Sequence, residues 1–274
     1  MHENDIEWAL WAGTVGYGSS IEGRLAAAVE GGFRRISLSP IDVASAGCTA
    51  TELGRTVRAA GVDIELEGFM SWYPGEPPAG MPLAAFGSDE VLDMAEALQA
   101  TALTVLARPT CDLPVADLAG CFAAVCDRAA GIGARVQLEF MPVMAISDLP
   151  SALTIVETAA RANGGLLFDT WHFFRGNPDF AALEALSGER VFSVQVSDGG
   201  ATLEGSVLED TFHRRLPGEG CFDLVRVLQV LDRIGALRCV GPEVISPATA
   251  AMSPVAAAGV GRERTWELIS RARS

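Results

Sequence analysis

The chain has 274 residues, of which 49% are hydrophobic, so it can bury a sizeable core and is not a disordered segment. Acidic residues outnumber basic ones by 35 to 20, and the formal net charge is −15. This balance argues against a nucleic-acid partner and against an anionic membrane surface, and the absence of lysine excludes Schiff-base chemistry and a P-loop.

Residues 1–13 are acidic and lack the basic and apolar regions of a signal peptide. Apolar runs stay shorter than the ~18 residues that a membrane span needs. The six cysteines form no CxxC pair and have small or apolar neighbours, which indicates reduced thiols rather than a disulfide or zinc framework. We therefore expect a cytoplasmic protein.

Short apolar runs alternate with helical segments along the whole chain. The predicted strands are 8–16, 33–39, 62–69, 102–108, 135–140, 165–173, 191–198 and 237–245. The segments between them carry apolar residues at three- and four-residue spacing, and several end in glycine, as helices often do.

Eight strand–helix units in about 250 residues are typical of a (β/α)8 TIM barrel. We predict this α/β fold as a single domain over residues 1–274. A doubly wound sheet is the alternative, but the stretch GTVGYGSS (13–20) matches its glycine motif only loosely, and no acidic residue ends the second strand.

Polar residues follow the apolar runs of the second half of the predicted barrel. Glu139, Asp169, Gln195 and Glu243 each end such a run, about one β/α unit apart. Three carboxylates at one barrel mouth would repel each other, and a divalent cation would relieve the repulsion. A single strand-end carboxylate could merely cap a helix or form a salt bridge, but four donors in register favour a metal site.

Five short motifs lie at the strand ends and in the loop after strand seven. They are LEF (138–140), FDTWH (168–172), VQVSDG (194–199), HRRLPGEG (213–220) and GPEVIS (241–246). Together they resemble the xylose-isomerase-like TIM-barrel superfamily, which includes sugar isomerases and epimerases and some dehydratases. The resemblance covers nearly the whole chain.

The resemblance implies a set of site residues. One divalent metal ion would be bound by Glu139, Asp169, Gln195 and Glu243. Mn²⁺ is the first choice for this ion, and Mg²⁺, Co²⁺ and Zn²⁺ are the alternatives. Glu139 and Glu243 would also act as base and acid. His172 would contact the substrate, as would Arg215 or its neighbour Arg214.

Further polar residues are assigned to the substrate site with open alternatives. Glu67 and Arg108 end strands three and four, where they could touch substrate or form a cross-barrel ion pair. His213 lies in the loop 199–220, which is long enough to be a lid, and the arginines of this loop could instead clamp a phosphate or carboxylate. The aromatic residues around His172 could line the site or simply fill the core.

The segment FMPVMAIS (140–147) is apolar where a sugar site would present polar groups. Together with Phe69, Trp72 and Tyr73 it predicts a pocket less polar than that of a free-sugar enzyme. Met141 and Met144 would contradict this prediction if they pointed away from the site, since methionines often fill cores.

The predicted function is a metal-dependent isomerase or epimerase that acts on a keto-sugar or a related hydroxy-ketone. A dehydratase of the 3-dehydroshikimate or inosose type is the alternative, since it begins with the same proton removal. Gln195 stands where tagatose-type epimerases commonly have histidine, which argues against a ketose epimerase without choosing among the other activities. A non-catalytic barrel is a third interpretation. A DNA-repair endonuclease of this superfamily would need a histidine-rich zinc site, and the chain has three histidines, His2, His172 and His213. We expect a small-molecule substrate and, by analogy, a homodimer.

Overall fold

Eight parallel strands close into one barrel in chain order, so the predicted (β/α)8 fold is confirmed. The computed structural model describes residues 3–274. The strands are β1 (Glu7–Leu10), β2 (Arg35–Leu38), β3 (Asp63–Phe69), β4 (Ala102–Leu106), β5 (Arg135–Glu139), β6 (Gly164–Asp169), β7 (Val191–Val196) and β8 (Cys239–Pro242).

Helices follow each strand and surround the barrel. They are α1 (Ala12–Val15), α2 (Ile21–Gly31), α3 (Pro40–Ser45), α4 (Ala50–Ala59), α5 (Ser88–Leu98), α6 (Val115–Gly131), α7 (Leu149–Ala159), α8 (Thr170–Arg175), α9 (Phe180–Ala185), α10 (Val207–Asp210), α11 (Leu224–Arg233), α12 (Pro247–Ala250) and α13 (Pro254–Ala272). Short 3₁₀ turns occur at Glu3–Asp5, Pro82–Ala85, Gly188–Arg190 and Thr211–His213. No helix within residues 3–274 is long and apolar enough to span a bilayer.

Alternation along the strands separates an apolar outer layer from a more polar interior. Side chains such as Leu138, Phe168 and Val194 belong to the large core packed against the helices. Their neighbours in sequence point the other way, because successive strand residues face opposite sides. Glu139 and Gln195 therefore occupy inward positions of their strands and point into the barrel.

A buried polar layer lies inside the barrel below its mouth. Glu65 accepts hydrogen bonds from Thr104 Oγ1 at 2.6 Å and from Trp11 Nε1 at 3.2 Å. Arg35 lies 3.7 Å from Glu65 Oε2 and 2.6 Å from Glu7 Oε1. In this carboxylate, which is only 1% exposed, Oε1 thus has two hydrogen-bond partners, and Oε2 has the charge of Arg35 beside it.

The first strand ends at Leu10 rather than at residue 16, and α1 begins at Ala12. The sixth strand is also shorter than predicted. It ends at Asp169 rather than at Phe173, and α8 begins at the next residue. The reason is helix capping, since Asp169 Oδ1 accepts hydrogen bonds from the backbone N–H groups of Trp171 at 2.6 Å and His172 at 3.1 Å. The cap places His172 one helical turn beyond Asp169, on the same side.

The loop after β7 is tied down at both ends. Asp198 and Arg215 form an antiparallel bridge, and the Asp198 carboxylate accepts hydrogen bonds from Gly199, Gly218 and Phe222. Gly220 is required here, because a Cβ at this position would meet Asp198 Oδ1 at 2.2 Å. The loop therefore has a defined course over the barrel mouth.

Candidate metal centre

A cavity of about 330 Å³ opens at the carboxyl ends of the strands. Its charged, imidazole and amide side chains come from the strand ends where catalytic and metal-binding residues were predicted, and from the loop after β7. These residues are Glu67, Glu139, His172, Gln195, Arg214 and Glu243. The site lies where catalytic groups of TIM barrels gather.

Three side chains form a compact group beside this cavity. Glu139, Asp169 and His172 each offer a ligand atom, and these atoms lie within 4.8 Å of one another. His172 Nε2 is 3.3 Å from Glu139 Oε1 and 3.8 Å from Asp169 Oδ2. The structure thus places His172, predicted as a substrate contact, among the predicted ligands.

The amide of Gln195 completes this group. One of its terminal atoms lies 3.0 Å from Asp169 Oδ2 and 3.1 Å from Glu139 Oε1, and the other lies 3.2 Å from Trp11 Nε1. With nitrogen toward the carboxylates, the amide donates a hydrogen bond to each of them. With oxygen toward them, three acceptor oxygens converge, an arrangement that a cation stabilises.

Arg214 is the cation that the structure brings to this group. One terminal nitrogen lies 2.7 Å from Asp169 Oδ2 and 3.1 Å from the Glu243 carbonyl oxygen, and the other lies 3.4 Å from His172 Nε2. Burial by itself would raise the pKa of Asp169, but the charges of Arg214 and His172 and their hydrogen bonds outweigh it, so the pKa is lowered. Asp169 is therefore an ionised carboxylate.

Two neighbours of Arg214 do not reach the cavity, which corrects their assignment to the substrate site. Arg215 is 43% exposed in its side chain and pairs with Glu204 at 3.6 Å. His213 lies 3.4 Å from the same carboxylate group and is similarly exposed. The chain is extended at Arg214, so consecutive side chains alternate and only the middle one points inward.

Arg108 is also corrected, because its hydrogen bonds lead away from the cavity rather than to Glu67. Its guanidinium donates to the carbonyl oxygens of Pro74 at 2.6 Å and Gly75 at 2.8 Å, and it lies over the Tyr73 ring. Arg108 therefore fixes the first part of the loop after β3. Residues 80–83, later in the same loop, line one side of the cavity.

Glu243 lines the same cavity but lies outside the compact group. Its Oε1 is 3.5 Å from the Tyr17 hydroxyl, and its buried Oε2 has no hydrogen-bond partner among the described residues. Gly13 makes room for this carboxylate, since a Cβ there would meet Glu243 Oε1 at 2.4 Å. Burial, and next the charge of Glu67, raise the pKa of Glu243 well above its usual value.

Glu67 lines the cavity from β3. Burial, and next the charge of Glu65, raise its pKa to about 8. It contributes a fourth carboxyl group to the mouth, beside Glu139, Asp169 and Glu243. Such crowding of acids is destabilising unless protons or cations are bound.

Met141 and Met144 line the cavity, which supports the expectation of a weakly polar pocket. Phe69, Trp72 and Tyr73 do not line it, and the prediction was wrong for them because their side chains are buried in the core.

The aromatic residues near His172 pack in the core or against other rings and do not line the cavity. Trp171 and Phe173 are buried in the core, and Phe174 stacks on Phe222 with ring centroids 4.6 Å apart. Tyr17 also lines the cavity, although it was not among the predicted site residues; it directly follows the predicted run 8–16.

The donor set fits a divalent cation. It combines carboxylate and amide oxygens with one imidazole, and Glu243 Oε2 is a buried oxygen that lacks a partner among residues 3–274. Oxygen-rich sets suit Mg²⁺ and Mn²⁺, and an imidazole also suits Zn²⁺ or Co²⁺. The residues present can therefore hold the predicted metal ion.

Known proteins with similar sequences are enzymes. Inosose isomerase of Bacillus subtilis is 26% identical over 147 residues, which are 53% of this chain and 52% of that protein. The chain thus spans about half the length of the curated relatives it matches. A 3-dehydroshikimate dehydratase of Pseudomonas aeruginosa is 35% identical over 104 residues, which are 37% of this chain and 16% of that protein.

Solved structures share the fold. The IOLI protein, crystallised with a bound zinc atom, superposes with a TM-score of 0.84 at 18% identity, covering 97% of this chain and 99% of that one. An L-ribulose 3-epimerase gives a TM-score of 0.72 at 17% identity, covering 98% and 96%. Residues 25–264 match the family model described as the xylose isomerase-like TIM barrel. The chain therefore belongs to the xylose isomerase-like TIM barrel family.

Proposed function

We propose that the chain is a divalent-metal-dependent isomerase or epimerase of a keto-sugar or related hydroxy-ketone. The observation that carries this proposal is the convergence of Glu139, Asp169, His172 and the Gln195 amide at the carboxyl end of the barrel. The isomerase and epimerase relatives support it, as does the zinc-bound neighbour.

The proposed ligands are Glu139, Asp169, Gln195 and Glu243, with Mn²⁺ as the proposed ion. When bound, such an ion polarises a carbonyl and an adjacent hydroxyl and so acidifies the C–H bond between them. His172 already lies in the compact group, so it is either a further ligand or the first contact of a substrate oxygen.

The protein's own side chains supply the proton transfer. Glu139 and Glu243 line the cavity from β5 and from just after β8, so they can serve opposite faces of a bound substrate. One carboxylate removes the proton, and the other returns a proton to the opposite face or to the neighbouring carbon. Arg214 and His172 can orient a substrate oxygen, because both line the cavity.

A dehydratase is the second candidate. The 35% identity to the 3-dehydroshikimate dehydratase segment favours it. The first step is the same proton removal, after which a β-hydroxyl leaves as water. The cytoplasmic location and the homodimer stay predictions.

Hydrogen exchange in D₂O tests both candidates at once. Metal-loaded protein should introduce deuterium beside the carbonyl of at least one substrate from a panel of keto-sugars, hydroxypyruvate, inosose and 3-dehydroshikimate. The product then distinguishes isomerisation from loss of water. Glu139→Gln and Glu243→Gln should each slow the exchange about 10²–10⁴-fold, whereas Glu219→Gln, an exposed residue of the loop, should not.

Exchange that persists in both site variants would contradict these roles. If metal-loaded protein exchanged none of the panel, the isomerase and dehydratase proposals would both be abandoned.

A further inference from the structure

The residues that line the cavity are of two chemical kinds. The charged and amide side chains, here called the floor, come mainly from the ends of β5 to β8, whereas most of the remaining lining is apolar. The apolar wall consists of Met81, Leu83, Leu106, Met141, Met144 and Ile245. Each of these side chains is partly exposed rather than buried, so the wall presents apolar surface to whatever enters the cavity.

The wall is held in place by hydrogen bonds of its own supporting segments. Met141 donates its backbone N–H to Ile146 at 3.0 Å, and Met144 donates to Met141 at 2.9 Å, which closes a compact turn. Ala145 of this turn donates to the Arg108 carbonyl oxygen at 2.9 Å. The turn that carries both methionines is thus attached to the end of β4.

Hydrogen bonds also hold the end of β4 and the loop after β3, which carry other residues of the wall. Trp72 Nε1 donates to the Leu106 carbonyl oxygen at 2.8 Å, and Arg108 holds the carbonyl groups of the loop after β3. The buried Arg108 side chain therefore supports the wall from outside the cavity. A prearranged apolar surface beside a few convergent polar groups is typical of a ligand pocket.

A sugar would be poorly matched to this wall. Away from the charged floor, the hydroxyls of Tyr17 and Thr211 are the neutral side-chain hydrogen-bonding groups among the lining residues. A polyol against the methionines would lose hydrogen bonds to water without replacing them. A phosphate group on the substrate is disfavoured too. Among the described residues that line the cavity, Arg214 is the single arginine, and it already pairs with Asp169.

We infer that the substrate is a hydroxy-ketone that carries an apolar group, either a ring or a hydrocarbon chain. This inference rests on the proposed function. The two oxygens of the substrate occupy the polar floor, and its apolar group lies on Met141, Met144 and their neighbours. Methionine suits this task because its flexible thioether adapts to an irregular or aromatic partner.

Hydroxamates with one chelating head and different tails test the inference. Binding to metal-loaded protein is measured by calorimetry for acetohydroxamate, benzohydroxamate and gluconohydroxamate. We expect benzohydroxamate to bind at least about tenfold more tightly than acetohydroxamate, since a ring buries roughly 100 Å² of apolar surface. Gluconohydroxamate should bind no better than acetohydroxamate.

Variants assign the preference to the wall. Met141→Gln/Met144→Gln should reduce the benzohydroxamate advantage to about threefold or less and leave acetohydroxamate binding unchanged. Met141→Leu/Met144→Leu should keep the advantage, and so should Met252→Gln, a control at an exposed methionine outside the cavity lining. Equal or tighter binding of gluconohydroxamate would overturn the inference, as would an unchanged ratio in the glutamine variant.

A probe without a chelating head separates this inference from the metal site. Acetophenone carries a ring but no adjacent hydroxyl, and saturation-transfer NMR reports its contact with the protein whether or not metal is bound. Transfer in the wild type that is lost in the glutamine variant supports the apolar wall even if no hydroxamate binds, which would count against the proposed function alone. No transfer in the wild type would overturn the inference.

Discussion

Arg214 places a permanent positive charge beside the carboxylate that is proposed to bind a metal ion. Its 2.7 Å contact with Asp169 is buried, and Trp171 lies beneath the guanidinium at 5.0 Å. The arginine stabilises the crowded acids without metal, but it also competes with a metal ion for Asp169. Removing Arg214 should therefore lower the stability of the metal-free protein and raise its affinity for a metal ion.

Replacing Arg214 by glutamine tests this competition. Removing one partner of a buried ion pair costs about 3–5 kcal/mol, so the melting temperature of metal-free R214Q should fall clearly. The rise in melting temperature on adding Mn²⁺ should be larger than in the wild type. Arg215→Gln is the matched control, because that neighbour is half-exposed and should alter neither value. A variant as stable as the wild type, or one that ignores the ion, would contradict this role.

Glu67 gives the metal-free protein a specific pH dependence. Its pKa is raised to about 8 in the folded state, above its value of about 4.5 in the unfolded chain. Between these values the folded protein holds the extra proton, so its stability is greatest below the lower value and falls as the pH rises through the upper one. Glu67→Gln removes this contribution.

The melting temperatures of the metal-free variant and wild type should therefore nearly coincide near about pH 5 and differ near about pH 9, where Glu67→Gln is the more stable protein. Glu76→Gln, at an exposed glutamate farther along the same loop, should show no such divergence. Parallel curves for Glu67→Gln and the wild type would show that Glu67 is not held in a raised-pKa environment.

Among the secondary-structure elements, the strands are easier to predict from sequence than the segments that connect them. The apolar runs locate all eight strands, because parallel strands are buried on both faces, but the run 8–16 extends six residues beyond the end of β1. The run through 165–173 is longer than its strand, because the apolar residues after Asp169 belong to a buried helix. A short apolar run has the same composition in either structure, and only the capping carboxylate marks the boundary.

The loop after β7 shows why individual site residues are harder to predict. Arg214 and Arg215 are adjacent, chemically identical and preceded by a histidine, so composition cannot tell which one points inward. The bridge between Asp198 and Arg215 decides it by fixing the direction of the extended segment. That bridge depends in turn on the Asp198 carboxylate and its bonds to three backbone N–H groups.

Asp198→Ala should loosen this loop. Hydrogen bonds to a charged acceptor are worth about 1.5–3 kcal/mol each, so the buried carboxylate should matter both to stability and to the position of Arg214. We expect trypsin to cut after Arg214 or Arg215 faster than in the wild type, with other sites unaffected. Asp198→Asn keeps one acceptor oxygen, so its cleavage rate should lie between those of Asp198→Ala and the wild type. Equal cleavage rates would contradict the anchoring role.

At the scale of the whole molecule, barrel closure turns separate strand ends into one site. Glu139, Asp169, Gln195 and Glu243 are distant in sequence, yet the closed strand order and inward alternation bring them to one mouth. This convergence is predictable from the register of apolar runs. The inward turn of Arg214 and the outward position of Arg108 are not, since they depend on loop geometry rather than on strand periodicity.

The same closure gathers four carboxyl groups at one mouth: Glu67, Glu139 and Glu243 line the cavity, and Asp169 lies beside it, paired with Arg214. A ligand that binds the folded state alone stabilises it by mass action, by about 2.7 kcal/mol at a hundredfold excess over its Kd. A divalent cation should therefore act as a structural as well as a chemical partner of this barrel.

The metal content of the purified protein tests the proposed site most directly. Elemental mass spectrometry should find about one divalent cation per chain in the wild type, and Glu139→Gln/Asp169→Asn should lose it. Glu76→Gln/Asp112→Asn, a double change of exposed acids outside the main cavity, should keep it. A wild type that binds no cation even after soaking, or a site variant that retains its cation, would contradict the metal centre proposed at the barrel mouth.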